Sequence, residues 1–218
     1  MGGCAMLGTV ITSIMSFIGT NVDDTFVLAV WFAQVGERLK RRDIIFGQFL
    51  GFEILVLVSV LAAYGLSFLP TDQVGWLGVI PIFIGVRRWW THRFARQIKS
   101  ETEAPRRTVQ AQARLETKLA HLGKWFRPQL LSVALVTISN GAGNLTVYIP
   151  LFTEYSVSEL VITIIVFTIM TGVWCYIGYR IAGLPYVKTK LERYEAILIP
   201  VIFIAIGIYV LVESGVLT

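Results

Sequence analysis

The sequence predicts an all-α integral membrane protein with six transmembrane helices, built as a 3+3 inverted repeat. Three observations carry that reading. Hydrophobic residues make up 55% of the 218 residues and charged ones only 15%, where a soluble domain has about 25% charged residues. Six stretches provide the roughly 20 mostly apolar residues that a membrane helix needs. All 19 Lys and Arg fall in three short regions, Arg38 to Arg42, Arg87 to Arg127 and Arg180 to Arg193. With those regions in the cytoplasm both termini lie outside, and the connections at Asp72 and at Glu154 to Glu159, which lack Lys and Arg, face out in turn. The basic balance, net charge +5 with a pI near 9.4, is then an orientation signal and calls for no nucleic-acid partner.

The elements follow in order. The first span, about 6 to 35, is long enough to tilt or break, and Gly19 with the polar cluster after it marks the place. Its apolar stretch follows no basic n-region, so no cleaved leader is expected. The second, 44 to 69, carries Glu53 and a Gly47-x-x-x-Gly51 pair of the kind that lets two helices approach closely. The third, 74 to 90, has Trp76 at its outer end and Trp89 and Trp90 at its inner end as interfacial anchors, and Trp125 anchors the start of the fourth, 128 to 153. Between them, residues 91 to 127 form a basic loop broken at Pro105, where Val109, Leu115, Leu119 and Leu122 fit either an interfacial helix or a solvated linker. His92 and His121 fall in this loop and are read as solvated. The fifth span runs from 158 to 180 and the sixth from 194 to 213. Pro81, Pro150 and Pro200 lie inside spans and are expected to kink them. Cys4 and Cys175 lie at opposite ends of the membrane, so neither a disulfide nor a zinc motif is expected.

The halves echo one another. Thr20-Asn21 returns as Ser139-Asn140, Gly51 as Gly172, and Ile82 to Val86 as Ile204 to Ile208. Each half has three spans, an odd number, so the second inserts upside down. The organisation expected is a first repeat over 1–90, the cytoplasmic loop over 91–127 and a second repeat over 128–218, with a site near the midplane where the repeats meet.

That site is expected at Asn21-Val22-Asp23-Asp24, two adjacent carboxylates within an uncharged apolar stretch. An ionisable group near a bilayer centre costs roughly 2.5 to 3.5 kcal/mol, so such a pair lines a cavity, pairs with a partner or binds a cation. At 1.5 Å per residue, Asp23 and Asn140 both stand roughly 18 to 20 Å from the inner boundary of a core about 30 Å thick. The second motif, Ser139-Asn140-Gly141-Ala142-Gly143-Asn144, sets glycines among amides and favours an unwound stretch whose carbonyls face a cavity. Adjacent residues on a helix point about 100° apart, so both acids reach one cavity only where the helix breaks. The candidate ligands are Asp23, Asp24, Asn21, Asn140 and Asn144, with Thr20, Thr25, Glu53 and Ser139 along the pathway. Oxygen ligands with carboxylate charge suit a divalent cation. The softer candidates within spans are Cys175, Met15 and Met170, of which Cys175 reads as an ordinary small buried residue. Glu53 is either a proton way-station or a carboxylate bonded to a neighbouring helix. The alternative for the acid pair is a polar clamp between helices with one proton bound.

Enzymatic chemistry is not expected. The second repeat offers no acid to complete an intramembrane aspartyl dyad, no H-E-x-x-H helix is present, and no histidine lies within a span to activate a serine.

Thr20 to Asp24, Phe46-Gly47-Gln48-Phe49-Leu50-Gly51, Leu77 to Gly85, and Asn140 to Asn144 followed by Val147 to Phe152, in this order, resemble the CadD-type cadmium-resistance transporters of the lysine-exporter superfamily. The resemblance spans nearly the whole chain outside the central loop. It implies a multi-pass efflux protein of the bacterial cytoplasmic (inner) membrane that exports a divalent metal ion as its substrate, with no cofactor, with protons as counter-ion and with a homodimer permitted. The family's second motif usually reads Asn-Gly-Ala-Asp-Asn. Here Gly143 replaces the acid, which removes one negative charge and makes an exporter of a small organic cation, such as a basic amino acid, the first rival. A non-transporting membrane metal sensor is the second.

Overall fold

The computed structural model describes residues 2–37, 39–66, 76–94, 127–182, 201–212 and 214, and these are helical with no strand among them. The helices are α1 (Gly2–Asn21), α2 (Asp24–Ala33), α3 (Arg41–Leu66), α4 (Val79–Phe94), α5 (Pro128–Gly141), α6 (Leu145–Thr153), α7 (Val157–Ile181) and α8 (Val201–Val212). Arg41–Leu66, the helical run Pro128–Thr153 and Val157–Ile181 are each long and apolar enough to cross a membrane, and the other apolar helices are shorter. The surface agrees with lipid contact. Leu7, Ile11 and Met15 on α1, Leu57 and Leu61 on α3, and Val161, Ile165, Ile169 and Val173 on α7 recur at helical spacing and are exposed, while Ser13, Ser16, Asn21, Ser59 and Thr163 are buried. A soluble helix reverses that distribution.

Local chemistry sets the ends. Ser156 and Glu159 form a reciprocal capping box at the start of α7, so two N–H groups that the helix leaves unpaired find partners. Pro128 opens α5 from the extended Arg127, where its missing N–H costs nothing. Pro81 sits in the first turn of α4 and needs no kink there, whereas Pro150 lies inside α6. Helix α4 continues to Phe94, so His92 belongs to its last turn and not to a loop. The interfacial-helix region about Pro105, together with His121, Trp125 and Pro200, lies outside the described residues.

Two breaks organise the molecule. Between α1 and α2 the chain makes a tight turn at Val22–Asp23, where Thr25 N–H reaches Val22 O and Phe26 N–H reaches Asp23 O, both at 3.2 Å. Between α5 and α6 stands a 3-10 turn, Ala142–Asn144. The expected unwound stretch is not what forms. Asp23, Ala142 and Asn144 keep right-handed helical backbone, and Gly143 O, instead of facing a cavity, accepts from Thr146 Oγ1 at 2.7 Å. Tightening to three residues per turn re-aims side chains while keeping most backbone bonds.

The packing pairs each broken run with a continuous helix. A Cβ added to Gly47 would lie 2.6 Å from Val133 Cβ, and one on Gly51 2.6 Å from Ala134 O. The expected close approach is therefore real and joins α3 to α5, which run parallel. In the other pair, Thr9 bonds Glu159 at 3.2 Å, Ser13 bonds Thr163 at 2.8 Å, and a Cβ on Gly178 would meet Leu28 Cβ at 2.6 Å. Helix α7 thus runs parallel to α1 and α2 along their length.

Candidate cation site

The two breaks face each other. Asp24 opens α2 and is 4% exposed. Its Oδ1 accepts a short hydrogen bond from Asn140 Nδ2, one residue before the end of α5. The Gln48 amide of α3 lies beside the same carboxylate, and Thr137 Oγ1 donates to Gln48 Oε1 at 2.7 Å. With its oxygen engaged there, Gln48 presents N–H to Asp24. The other carboxylate oxygen, Oδ2, is buried with no hydrogen-bond partner. A buried carboxylate oxygen without a donor is costly, and a cation or a proton relieves that cost.

Asn21 completes the near side. Its Nδ2 donates to Phe17 O, Thr20 Oγ1 and Tyr148 OH, each at 2.9 Å. Tyr148 OH in turn lies 2.5 Å from Thr20 Oγ1. These bonds fix the amide with Oδ1 turned the other way, buried and without a partner. Trp174 Nε1 of α7 donates at 2.6 Å to the carbonyl of Asn21, one of the carbonyls that the break leaves without an intrahelical donor.

Among the residues anticipated from sequence, Asp24 and Asn140 are in direct contact, and Asn21, Thr20 and the half-buried Asp23 stand at the same break. Thr25 is buried on the first turn of α2. Asn144 is buried with Nδ2 unbonded, so it donates to neither acid. Ser139 is exposed. Glu53 stands apart, accepting from Thr168 Oγ1 of α7 at 2.8 Å, the helix-bonded alternative of its two readings. Gln48, Tyr148, Thr137 and Trp174 were not singled out. A lone Gln and a mid-span Tyr in apolar helices were the available signals.

Apolar clusters flank this polar layer. On the side of Glu159 lie Phe17, Phe52, Val56, Tyr148, Leu151, Phe152 and Phe167, with ring centroids of Phe17 and Phe52 5.2 Å apart. On the side of Arg41 lie Leu28, Trp31, Phe32, Ile44, Val133 and Cys175. Beyond the second cluster Asp43, 1% exposed, takes both Oδ atoms to Arg127 Nη1 at 2.8 and 2.9 Å, and Arg41 lies 4.5 Å over the Tyr179 ring.

Among the described residues no three His, Cys, Asp or Glu converge as a metal cluster. Any ion held here would therefore need amide or hydroxyl oxygens beside the carboxylates, which hard-oxygen coordination accepts. A family model described as cadmium resistance transporter matches residues 17–218. No curated protein and no solved structure matches the chain.

Proposed function

Because the chain belongs to the cadmium resistance transporter family, we propose that it exports a cadmium-like divalent cation by alternating access, with the cation seated between the two helix breaks. The observation that carries this reading is Asp24. It is buried, tied to Asn140 of the opposite break, and left with one free oxygen. Asp24 supplies charge, Asn21 Oδ1 a neutral oxygen, and Asp23 a second carboxylate. Asn140 and Asn144 add amide oxygens once the Asp24 bond exchanges for the ion.

The reading includes six spans in two inverted three-helix repeats, 1–90 and 128–218, joined by the loop over 91–127 and placed in a bacterial cytoplasmic membrane with both termini outside. The packing supports it. The first broken run lies parallel to α7 and the second lies parallel to α3, which is the exchange that a two-fold relation between halves requires. Inverted repeats of this kind rock about a midplane site. The two apolar clusters serve as alternately opened barriers, and protons taken up by Asp23 and Asp24 from outside displace the cation.

Metal-panel uptake into everted vesicles, wild type beside Asp24→Asn, with and without a pH gradient, tests this reading. Saturable uptake of a divalent ion, lost in Asp24→Asn and driven by the gradient, is expected. Uptake of lysine in place of any metal would move the substrate to an organic cation. Saturable binding without flux would make the protein a sensor.

A further inference from the structure

Protons that displace the ion must pass the apolar cluster on the Glu159 side, where the rings of Phe17, Phe52 and Phe167 close on one another. A file of hydroxyls runs beside that cluster. Thr9, Ser13, Ser16 and Thr20 stand at i, i+4, i+7 and i+11 of α1, on one face of the helix, and each is buried. Hydroxyls between membrane helices commonly act as fastenings. One member of this file fastens nothing.

At one end Thr9 Oγ1 donates to the half-buried Glu159 at 3.2 Å. Next, Ser13 Oγ donates to Thr9 O at 2.7 Å and so accepts from Thr163 Oγ1 of α7, 2.8 Å away. At the other end Thr20 Oγ1 meets Tyr148 OH at 2.5 Å, and Tyr148 OH accepts from Asn21 at the helix break. Between Ser13 and Thr20, Ser16 Oγ has no exposed surface and no hydrogen-bond partner. An unbonded hydroxyl inside a membrane protein is costly and holds no helices together. Side chains three or four residues apart on a helix have Cβ atoms about 5 to 6 Å apart, a gap that one water spans with two hydrogen bonds of about 2.8 Å. Pairs in contact at hydrogen-bond distance leave no passage for a hydrated divalent ion. A proton needs only oxygens that both donate and accept, and every hydroxyl of the file is one.

Resting on the export reading above, we propose that Thr9, Ser13, Ser16 and Thr20, with Thr163 and Tyr148, form a proton path from Glu159 to the helix breaks. Water bridges the steps along α1, with Ser16 as the link between its two halves. Counter-protons then reach the breaks while the apolar cluster stays shut to the ion. A proton binds a Glu159 carboxylate oxygen from water on that side. Each oxygen of the file accepts a proton on a lone pair and releases its own to the next, so one O–H bond forms for each that breaks and no electron moves. The last proton passes from Tyr148 through water to the acid pair at the break.

The test uses the full chain in proteoliposomes, with cadmium as the ion and a pH-sensitive dye in the lumen. Ser16→Ala deletes a hydroxyl that bonds nothing, so its melting temperature should equal or exceed that of wild type. Gradient-driven cadmium uptake and the proton movement coupled to it should nevertheless slow several-fold. Cadmium-for-cadmium exchange, which requires no net proton transfer, should fall much less. Thr163→Val should act alike, and Thr163→Ser, which keeps the hydroxyl, should restore the driven rate. Glu159→Gln retains the capping box and should also slow driven uptake more than exchange. Driven uptake at the wild-type rate in Ser16→Ala and Thr163→Val, or exchange slowed as much as driven uptake, would overturn the path and leave the export reading standing. Wild-type cadmium uptake indifferent to the gradient would overturn the path and the proton coupling together, and absence of cadmium uptake would overturn the export reading as well. Should Thr163→Val fold poorly, Ser16→Ala decides the matter alone.

Discussion

At the scale of the residue, the site is a set of polar atoms held by their neighbours so that selected oxygens stay free. Tyr148 does most of this for Asn21. Tyr148→Phe removes the hydroxyl that accepts from Asn21 Nδ2 and meets Thr20, a loss of about 1 kcal/mol for each hydrogen bond. The expected result is a slightly lower melting temperature together with weaker divalent binding by calorimetry, because the amide can then rotate its oxygen away. Unchanged affinity would show that Asn21 does not ligate the ion. Gly143 offers the opposite experiment. A Cβ there meets nothing within 4 Å and its φ is not positive, so Gly143→Asp should fold normally and restore a charge near Asn140 and Asn144. Tighter divalent binding with slower release is expected, measured by titration and single-turnover efflux, and affinity equal to wild type would place position 143 outside the ion's reach. Much of this scale was legible in the sequence, since buried acids in an apolar stretch announce themselves. The supporting shell was not, because Gln48, Tyr148 and Trp174 acquire meaning only from partners on other helices.

At the scale of the element, hydrophobic length and charge-free turns located the helices, and the structure follows those bounds within a few residues where it is described. What sequence could not give was the use of each glycine. The break falls within the polar cluster after Gly19, as expected, at Val22–Asp23, but Gly19 itself serves packing, since a Cβ there would overlap Ile202. In apolar helices glycine more often marks close packing than a break. Gly51→Val should therefore force α3 from α5, at a cost of about 1 to 3 kcal/mol for overpacking. Gly8→Ala, where a Cβ meets nothing within 4 Å, should be neutral or stabilising by up to about 1 kcal/mol. Melting temperatures in detergent compare the two, and equal effects would mean that the α3–α5 contact is not a tight one.

At the scale of the whole molecule, the two sides of the site are closed by different chemistry. Toward Glu159 the first broken run meets α7 through hydroxyls, with Ser13 on Thr163 and Thr9 on Glu159. An interface of that kind can part and be wetted without exposing only apolar surface. Toward Arg41 the closure is a thinner apolar layer clasped by Asp43 and Arg127, a pair joining α3 to the residue that opens α5. If these are the two gates, weakening one should favour the state that it closes off. Arg127→Gln leaves Asp43 with a neutral donor and should let a small membrane-impermeant thiol reagent reach Cys175 several-fold faster from the side of Arg41, in the Cys4→Ser background. Ser13→Ala with Thr163→Ala should instead lower labelling from the opposite side, because the parted seam would then expose only apolar surface to water. Saturating cadmium should slow both reactions if the ion occupies the layer between the gates. Labelling that responds to neither substitution would leave the ion pair and the hydroxyl seam as helix fastenings, and the path of the ion would then have to run along another face, such as that of Asn140 and Gly143, which are exposed among the described residues.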